Sequence, residues 1–296
     1  MKKLGGYWLY RALAGLFGLL PEPAMRWSGE RLGWLLSFVA RDRMALLERH
    51  ISRVVPDSGA DLTRRARAMF TSYGRYWAEV FWIRPRRKAE FVAAAEVEGL
   101  DNILAARDTG RGIVLALPHL GNWEAAGAKA EDVGIPVLAV AESLPNPLIT
   151  DWFIDVRNHM GIDVVLTGRG HRVTPALVER LEAGGTVALL ADRDLSGRGI
   201  EVEFFGERTT IPAGPVTLAD RTGAVLLPVG CYFAPGPGHR FVVHPPLELP
   251  QQGTTEERVA AGAQRLAGVL EDIISEAPEQ WHMFQPNWPS DREAGQ

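Results

Sequence analysis

The hydrophobic pattern changes character once along the chain. Up to about residue 90, apolar positions recur with helical spacing. Leu32, Leu35, Leu36 and Val39 form one such set; Leu62, Ala66, Phe70, Tyr73, Trp77 and Phe81 form another. Pro85 followed by Arg86, Arg87 and Lys88 marks a turn and a boundary. From about residue 95, short apolar runs alternate with helical stretches. The pattern predicts strands at 113–118, 137–142, 163–166, 186–191, 225–233 and 240–244. It predicts helices at 122–132, 147–160, 172–183, 213–222 and 255–276, the last opened by a Thr254/Glu257 capping box and carrying an apolar stripe of Val259, Ala263, Leu266, Leu270 and Ile273. Strands separated by helices imply an α/β fold, a mixed and largely parallel sheet surrounded by helices. The expected organisation is a helical, basic N-terminal part (1–90) joined to an α/β core (91–296) in one integrated domain.

Composition adds compartment and surface. At 296 residues and 46% hydrophobic, the chain can bury a large core. Its one cysteine, Cys231, lies in an apolar run and reads as a small buried hydrophobe, so no disulfide framework is expected. The net charge of −4 is unevenly spread: residues 1–90 hold 17 Lys+Arg against 8 Asp+Glu, a surplus of nine positive charges. A basic, Trp-containing N-terminal third suggests an anionic surface such as a membrane or a phosphorylated ligand. No apolar stretch is long enough to span a bilayer. The segment from Tyr7 to Leu20 superficially resembles a signal peptide, but Arg11 interrupts it and no small-x-small site follows. An interfacial helix fits better, with Trp8, Leu9, Leu13, Leu16, Phe17 and Leu20 inserted and Arg11 snorkelling.

The chemistry concentrates after the first predicted strand, where Leu117-Pro118-His119-Leu120-Gly121-Asn122-Trp123-Glu124 places a histidine five residues before a carboxylate. Five residues of α-helix is a rotation of about 500°, so the two side chains cannot meet inside one helix. They can meet if His119 ends the strand, Gly121 turns, Asn122 caps the helix and Glu124 sits in its first turn. A carboxylate holding an imidazole in one tautomer is what a general base requires. Gly121 and Asn122, at the helix start, offer backbone N–H groups to a developing oxyanion.

Two further strand ends carry polar clusters: Glu142, and the run Asp192-Arg193-Asp194. In open α/β sheets ligands gather at the carboxyl ends of strands, so these clusters are expected to converge with His119 on one edge. Asp192 is a second carboxylate within reach of His119, or a salt-bridge partner of Arg193. Arg157 is a phosphate ligand or an ion-pair partner of Asp155 or Glu142. Arg198, in the glycine-bracketed Ser196-Gly197-Arg198-Gly199, and Arg221 are candidates for coenzyme phosphates. The chain has no Gly-x-Ser-x-Gly elbow, no Gly-x-Gly-x-x-Gly, no Walker loop and no His-Glu-x-x-His. His119 and Glu124 alone supply too few ligands for a metal.

These residues resemble a known family. Leu115 to His119, Gly121 to Glu124, Ala191 to Asp194, Glu203-Phe204-Phe205-Gly206, Ile211 to Pro215 and Thr222-Gly223-Ala224 are similar to the bacterial late acyltransferases of lipid A synthesis, a lysophospholipid acyltransferase family. Trp281 to Trp288 and Ala141-Glu142 look closer to its actinobacterial branch, the phosphatidylinositol mannoside acyltransferases. The resemblance implies transfer of a fatty acyl group, typically palmitoyl, from acyl-CoA to a mannose hydroxyl of a phosphatidylinositol mannoside. It implies a peripheral position on the cytoplasmic face of the plasma membrane, and no cofactor, metal or nucleic acid beyond the co-substrate acyl-CoA. His119 matches the general base, Glu124 the acidic end of the His-(four residues)-Asp/Glu motif, and Asp192 an acidic partner that is often Glu. Asp192-Arg193, where Gram-negative members tend to have Asp-Gln, weakens a lipid A assignment. A lipid A or other lysophospholipid acyltransferase, a hydrolase and a non-catalytic lipid-binding protein are the alternative readings.

Overall fold

The computed structural model describes residues 2–168, 172–194 and 197–293. Four helices come first: α1 (Lys2–Leu19), α2 (Glu22–Val39), α3 (Arg41–Val54) and α4 (Leu62–Trp82). Then α5 (Lys88–Ala93), β1 (Ala95–Glu98) and α6 (Leu100–Asp108) lead into an alternating series: β2 (Ile113–Leu117), α7 (Trp123–Asp132), β3 (Val137–Ala141), α8 (Pro147–His159), β4 (Ile162–Leu166), α9 (Val173–Glu182) and β5 (Thr186–Leu190). A hairpin of β6 (Ile200–Phe204) and β7 (Glu207–Ile211) follows, then α10 (Gly214–Thr222), β8 (Val225–Phe233), β9 (His239–Val243), α11 (Thr255–Glu276) and the short α12 (Pro289–Glu293).

Seven strands form one mixed sheet in the order β1-β9-β8-β2-β5-β3-β4. Five neighbouring pairs are parallel; only β8 and β9 run antiparallel. The central strands are buried on both faces, as their unbroken apolar sequence requires. On β2, Ile113, Leu115 and Leu117 face a core shared with α1, α4 and α7, while Val114 and Ala116 face α9, α10 and α11. The first core joins Phe17, Tyr76 and Phe81 of the helical part to Leu115 and Leu117 of the sheet. Cys231 is fully buried in it, and burial pushes its thiol pKa up.

The predicted helices and strands of the second part lie where the pattern placed them, to within one residue at each end. Strands β1, β6 and β7 and helices α6 and α12 were not anticipated. Strands β1 and β6 alternate apolar with charged residues, and β7 (Glu-Arg-Thr-Thr-Ile) is polar up to its last residue, so they lack the continuous apolar run of a central strand. Helix α6 is short and has only Ile103 and Ala106 buried.

The N-terminal helices invert part of the expected pattern. On α2 the buried stripe is Met25, Gly29, Gly33 and Ser37. The apolar set Leu32, Leu35, Leu36 and Val39 faces outward, with Val39 75% exposed. Glycines explain this: a Cβ on Gly33 would overlap the carbonyl oxygen of Phe70, and one on Gly74 the carbonyl oxygen of Gly29. α2 and α4 therefore touch backbone to backbone, with little apolar side chain between them. On α1, Trp8, Leu9 and Leu16 are exposed as anticipated, joined by Leu19. Phe17 is not: it is buried and stacks on Phe81, and Leu13 and Leu20 pack half-buried on the same core. No described helix is long and apolar enough to cross a membrane.

Candidate active site

β2 and β5 are parallel neighbours with Leu117 opposite Leu190. Two residues beyond each lie His119 and Asp192, so the register itself brings them together. His119 Nδ1–H donates to Asp192 Oδ1 at 2.6 Å, and the His119 backbone N–H donates to Asp192 Oδ2 at 3.0 Å. Trp281 Nε1–H donates to the same Oδ2 at 2.8 Å. Asp192 is wholly buried. Burial alone would raise its pKa, but the His119 charge and hydrogen bond, the indole N–H and the His119 amide outweigh it and hold the carboxyl at about 2. With Nδ1 committed to the carboxylate, the ring nitrogen left for a substrate is Nε2.

Glu124 does not share this arrangement. Asn122 caps α7 as anticipated, its Oδ1 accepting from the N–H groups of Glu124 and Ala125 at 3.1 Å each. The cap turns Glu124 toward α8, where it takes a forked ion pair: Arg157 Nε–H lies 3.0 Å from both carboxylate oxygens and Nη2–H 2.6 Å from Oε1. Arg157 thus pairs with Glu124 rather than with Asp155 or Glu142. Burial would lower the Arg157 pKa, and the Glu124 carboxylate overrides this and raises it.

Gly121 does not present the expected oxyanion donor. Residues 280–282 run alongside 119–121, bridging Leu120 to Trp281. Gly121 N–H is spent on the Gln280 carbonyl at 3.0 Å. Gly121 sits at φ +56°, and a Cβ there would overlap the Cys231 carbonyl, so only glycine fits the turn. Asn122 is fully buried, its Nδ2–H donating to Glu79 at 2.6 Å. Glu79 also takes Arg75 and His239; burial would raise its pKa, but the interactions with His239 and Arg75 bring it down to about 2.

The ring of His119 opens on a cavity of about 520 Å³, walled by Tyr73, Tyr76 and Trp77 of α4, Trp123 of α7, Tyr10 of α1 and His282. Glu142, exposed at the end of β3, and Arg193 line it too. A second, apolar cavity lies between the sheet, α6 and α7, lined by residues such as Leu100, Ile103, Leu115, Leu117 and Phe241. The two adjoin: Trp123, Val140, Arg157 and Leu190 line both. Arg198 is exposed and is not among the described residues lining either cavity; its neighbours Leu195 and Ser196 lie outside the described residues. Arg221 ends α10 and precedes the start of β8, which places it at the opposite edge of the sheet from His119. The polar edge therefore gathers His119, Asp192, Glu142 and Arg157, and leaves out Arg221.

Several site residues escaped the pattern. The aromatic wall of α4 is indistinguishable in sequence from a core stripe. Trp281 and His282 stand in an aromatic run, and only a histidine and a glutamine inside it (Trp281-His282-Met283-Phe284-Gln285) hint at a polar site. His282 is 3% exposed, with Nε2 2.9 Å from Ser72 Oγ. Burial, helped by the charge of His119, lowers its pKa to about 3. As pH falls below the ordinary histidine value of about 6.5, the unfolded chain takes a proton here that the folded chain refuses until about 3. Glu79 and Asp192 act the same way, their stabilisation present above the ordinary carboxyl range and lost as pH falls toward 2. Unfolding free energy is therefore expected to fall continuously from pH 7 to 4 in urea titrations, and His282→Gln to flatten the upper part of that slope. A slope unchanged in His282→Gln would contradict the buried, neutral imidazole.

Comparison with known proteins places this geometry. The family described as bacterial lipid A biosynthesis acyltransferase matches residues 1–290. A phosphatidylinositol mannoside acyltransferase of Mycolicibacterium smegmatis is 39% identical over 247 residues, 83% of this chain and 79% of that protein. One from Mycobacterium tuberculosis is 42% identical over 227 residues, 76% of this chain and 70% of its own length. The lipid A biosynthesis palmitoleoyltransferase of Escherichia coli is 26% identical over 286 residues, covering 93% and 89%. A full-length family match, relatives near 40% identity and an α/β sheet presenting a histidine at its carboxyl edge agree: this chain belongs to the bacterial lipid A biosynthesis acyltransferase family and is an acyltransferase that acts on lipids.

Proposed function

We propose that the protein moves a long-chain fatty acyl group, palmitoyl first among them, from acyl-CoA to a mannose hydroxyl of a phosphatidylinositol mannoside. The observation that carries the chemistry is the 2.6 Å bond from His119 Nδ1 to buried Asp192. The carboxylate fixes the tautomer, and Nε2 takes the hydroxyl proton as that oxygen attacks the thioester carbonyl. The new C–O bond forms, the C–S bond breaks, and the proton passes from Nε2 to the departing thiolate, whose solution pKa of about 8.5 makes it a ready leaving group. The apolar cavity beside Leu115 and Leu117 suits the acyl chain, and the aromatic cavity suits a sugar. The choice of mannoside over lipid A rests on the two mycobacterial relatives, whose identity exceeds that of the E. coli protein.

The same reading places the protein peripherally on the inner, anionic membrane face. Exposed Trp8, Leu16 and Leu19 on α1 and Trp27, Leu35 and Val39 on α2 supply an apolar surface beside the basic surplus. One experiment tests both parts: purified protein is incubated with palmitoyl-CoA and anionic vesicles carrying a mannosylated phosphatidylinositol. A product heavier by one palmitoyl group in the mass spectrum, and co-sedimentation that weakens at high salt, are expected. Thioester loss with no acylated lipid would point instead to hydrolysis.

A further inference from the structure

The charges facing the catalytic cavity do not cancel in the way the sequence suggests. Asp192 is saturated: His119 contributes two hydrogen bonds and Trp281 one, and Arg193 none. Asp194, the other carboxylate next to Arg193, turns its Oδ2 to Gly199 N–H at 2.7 Å and Thr210 Oγ at 3.1 Å. Glu124 and Arg157 neutralise each other, and Glu142, which also lines the cavity, is exposed and makes no ion pair with Arg193. His282 is held neutral by burial. Arg193 is left as a half-buried guanidinium lining the cavity beside His119, with no ion pair to any described residue and with its buried Nε lacking a hydrogen-bond partner. Withdrawing an arginine that far from water without a counter-anion is costly, and five fixed donors in a planar fork match a phosphate.

We propose that Arg193 is the anion anchor of the active site, binding a phosphate oxygen of one of the two substrates while His119 meets the hydroxyl. This rests on the transfer reading above. Phosphate occurs on both sides of that reaction, in the phosphodiester of the acceptor and in the nucleotide part of the donor. The site lies where the two substrates meet, and Arg193 acts on binding rather than on the proton.

The test uses full-length protein, with Arg193→Gln removing the charge and Arg193→Lys keeping it without the fork. Steady-state transfer is measured against each substrate in turn. It is then repeated with a mannosyl diacylglycerol in place of the phosphorylated acceptor, and with palmitoyl-pantetheine in place of palmitoyl-CoA. Arg193→Gln is expected to raise the KM of one substrate about tenfold to a hundredfold with kcat little changed, and Arg193→Lys to recover part of it. The penalty should vanish with whichever truncated substrate lacks the phosphate in question, and that arm names the source. Equal KM values in wild type and Arg193→Gln, or a penalty that persists with both truncated substrates, would overturn the proposal while leaving acyl transfer intact. Calorimetric binding of coenzyme A and of deacylated, water-soluble phosphatidylinositol mannoside to wild type and Arg193→Gln reads the anchor without catalysis. If wild-type protein transfers no acyl group, the functional reading fails on its own, and the anchor stands or falls on whether Arg193→Gln weakens either ligand. Circular dichroism of both variants checks that the fold is kept.

Discussion

Replacing His119 by alanine is expected to lower acyl transfer by about 10²- to 10⁴-fold, the usual contribution of a positioned general base, and to cost stability as well, because it strips the buried Asp192 carboxylate of its Nδ1–H partner. The ring is only partly enclosed by the cavity it lines, so its removal leaves no deep void. Asp192→Asn should cost activity of the same order by a different route. Asp192 accepts three hydrogen bonds, from His119 Nδ1–H, His119 N–H and Trp281 Nε1–H. An asparagine has one acceptor oxygen for these donors, and its own N–H₂ must face another N–H or turn the imidazole over. This variant should therefore lose stability as well as rate. Glu124→Gln separates the two carboxylates. It leaves the His119–Asp192 pair untouched and removes the charge facing Arg157, so substrate binding and stability should suffer more than the pH profile of the base. Product formation followed by mass spectrometry decides among these. Transfer at wild-type rate by His119→Ala would end the general-base mechanism, and full activity in Asp192→Asn with none in Glu124→Gln would reverse the assignment of the partner.

Gly33→Leu is expected to destabilise the protein by about 3 kcal/mol, at the upper end of overpacking effects. Ordinary overpacking is relieved by shifting a side chain. Here the obstruction is the carbonyl oxygen of Phe70 and the Cα of Gly74, both backbone atoms of α4, so the helices themselves must part. α2 is held by few other buried groups, Met25 and Ser37 among them. Parting it from α4 removes its grip and uncovers residues 21–40 to protease. α4 carries Tyr73, Tyr76 and Glu79, so activity should fall along with stability. Urea denaturation and limited proteolysis measure the effect. A Gly33→Leu protein as stable and as protease-resistant as wild type would show that the two helices do not pack along this glycine seam.

How far the sequence speaks for the fold differs between the two parts. In the sheet the signal was strong because Ile113 to Leu117 and Val225 to Tyr232 are buried on both faces and Thr186 to Leu190 is buried or half-buried, and continuous apolar runs mark such strands. Convergence of His119, Glu142 and Asp192 on one edge followed from parallel strands alone. The partner of His119 did not, since a one-residue shift between β2 and β5 would have sent Asp192 elsewhere, and register is a property of tertiary packing. The same holds for the oxyanion expectation at Gly121: nothing local announces that residues 280–282 will occupy its N–H. In α2 the apolar pattern misled because glycine carries no hydrophobic signal, although backbone contact at Gly29 and Gly33 is what docks the helix.

The segment 280–288 ties down the site from far along the chain. Gln280 takes the N–H of Gly121, His282 N–H donates to the His119 carbonyl, Trp281 holds the Asp192 carboxylate and Asn287 Nδ2–H the Asp192 carbonyl. Translation runs from amino to carboxyl end, so His119 and Asp192 emerge from the ribosome long before the residues that fasten them. A nascent chain can thus bring β2 and β5 side by side while His119 and Asp192 are still unsecured. Competence therefore waits until this late segment has joined the two strand ends.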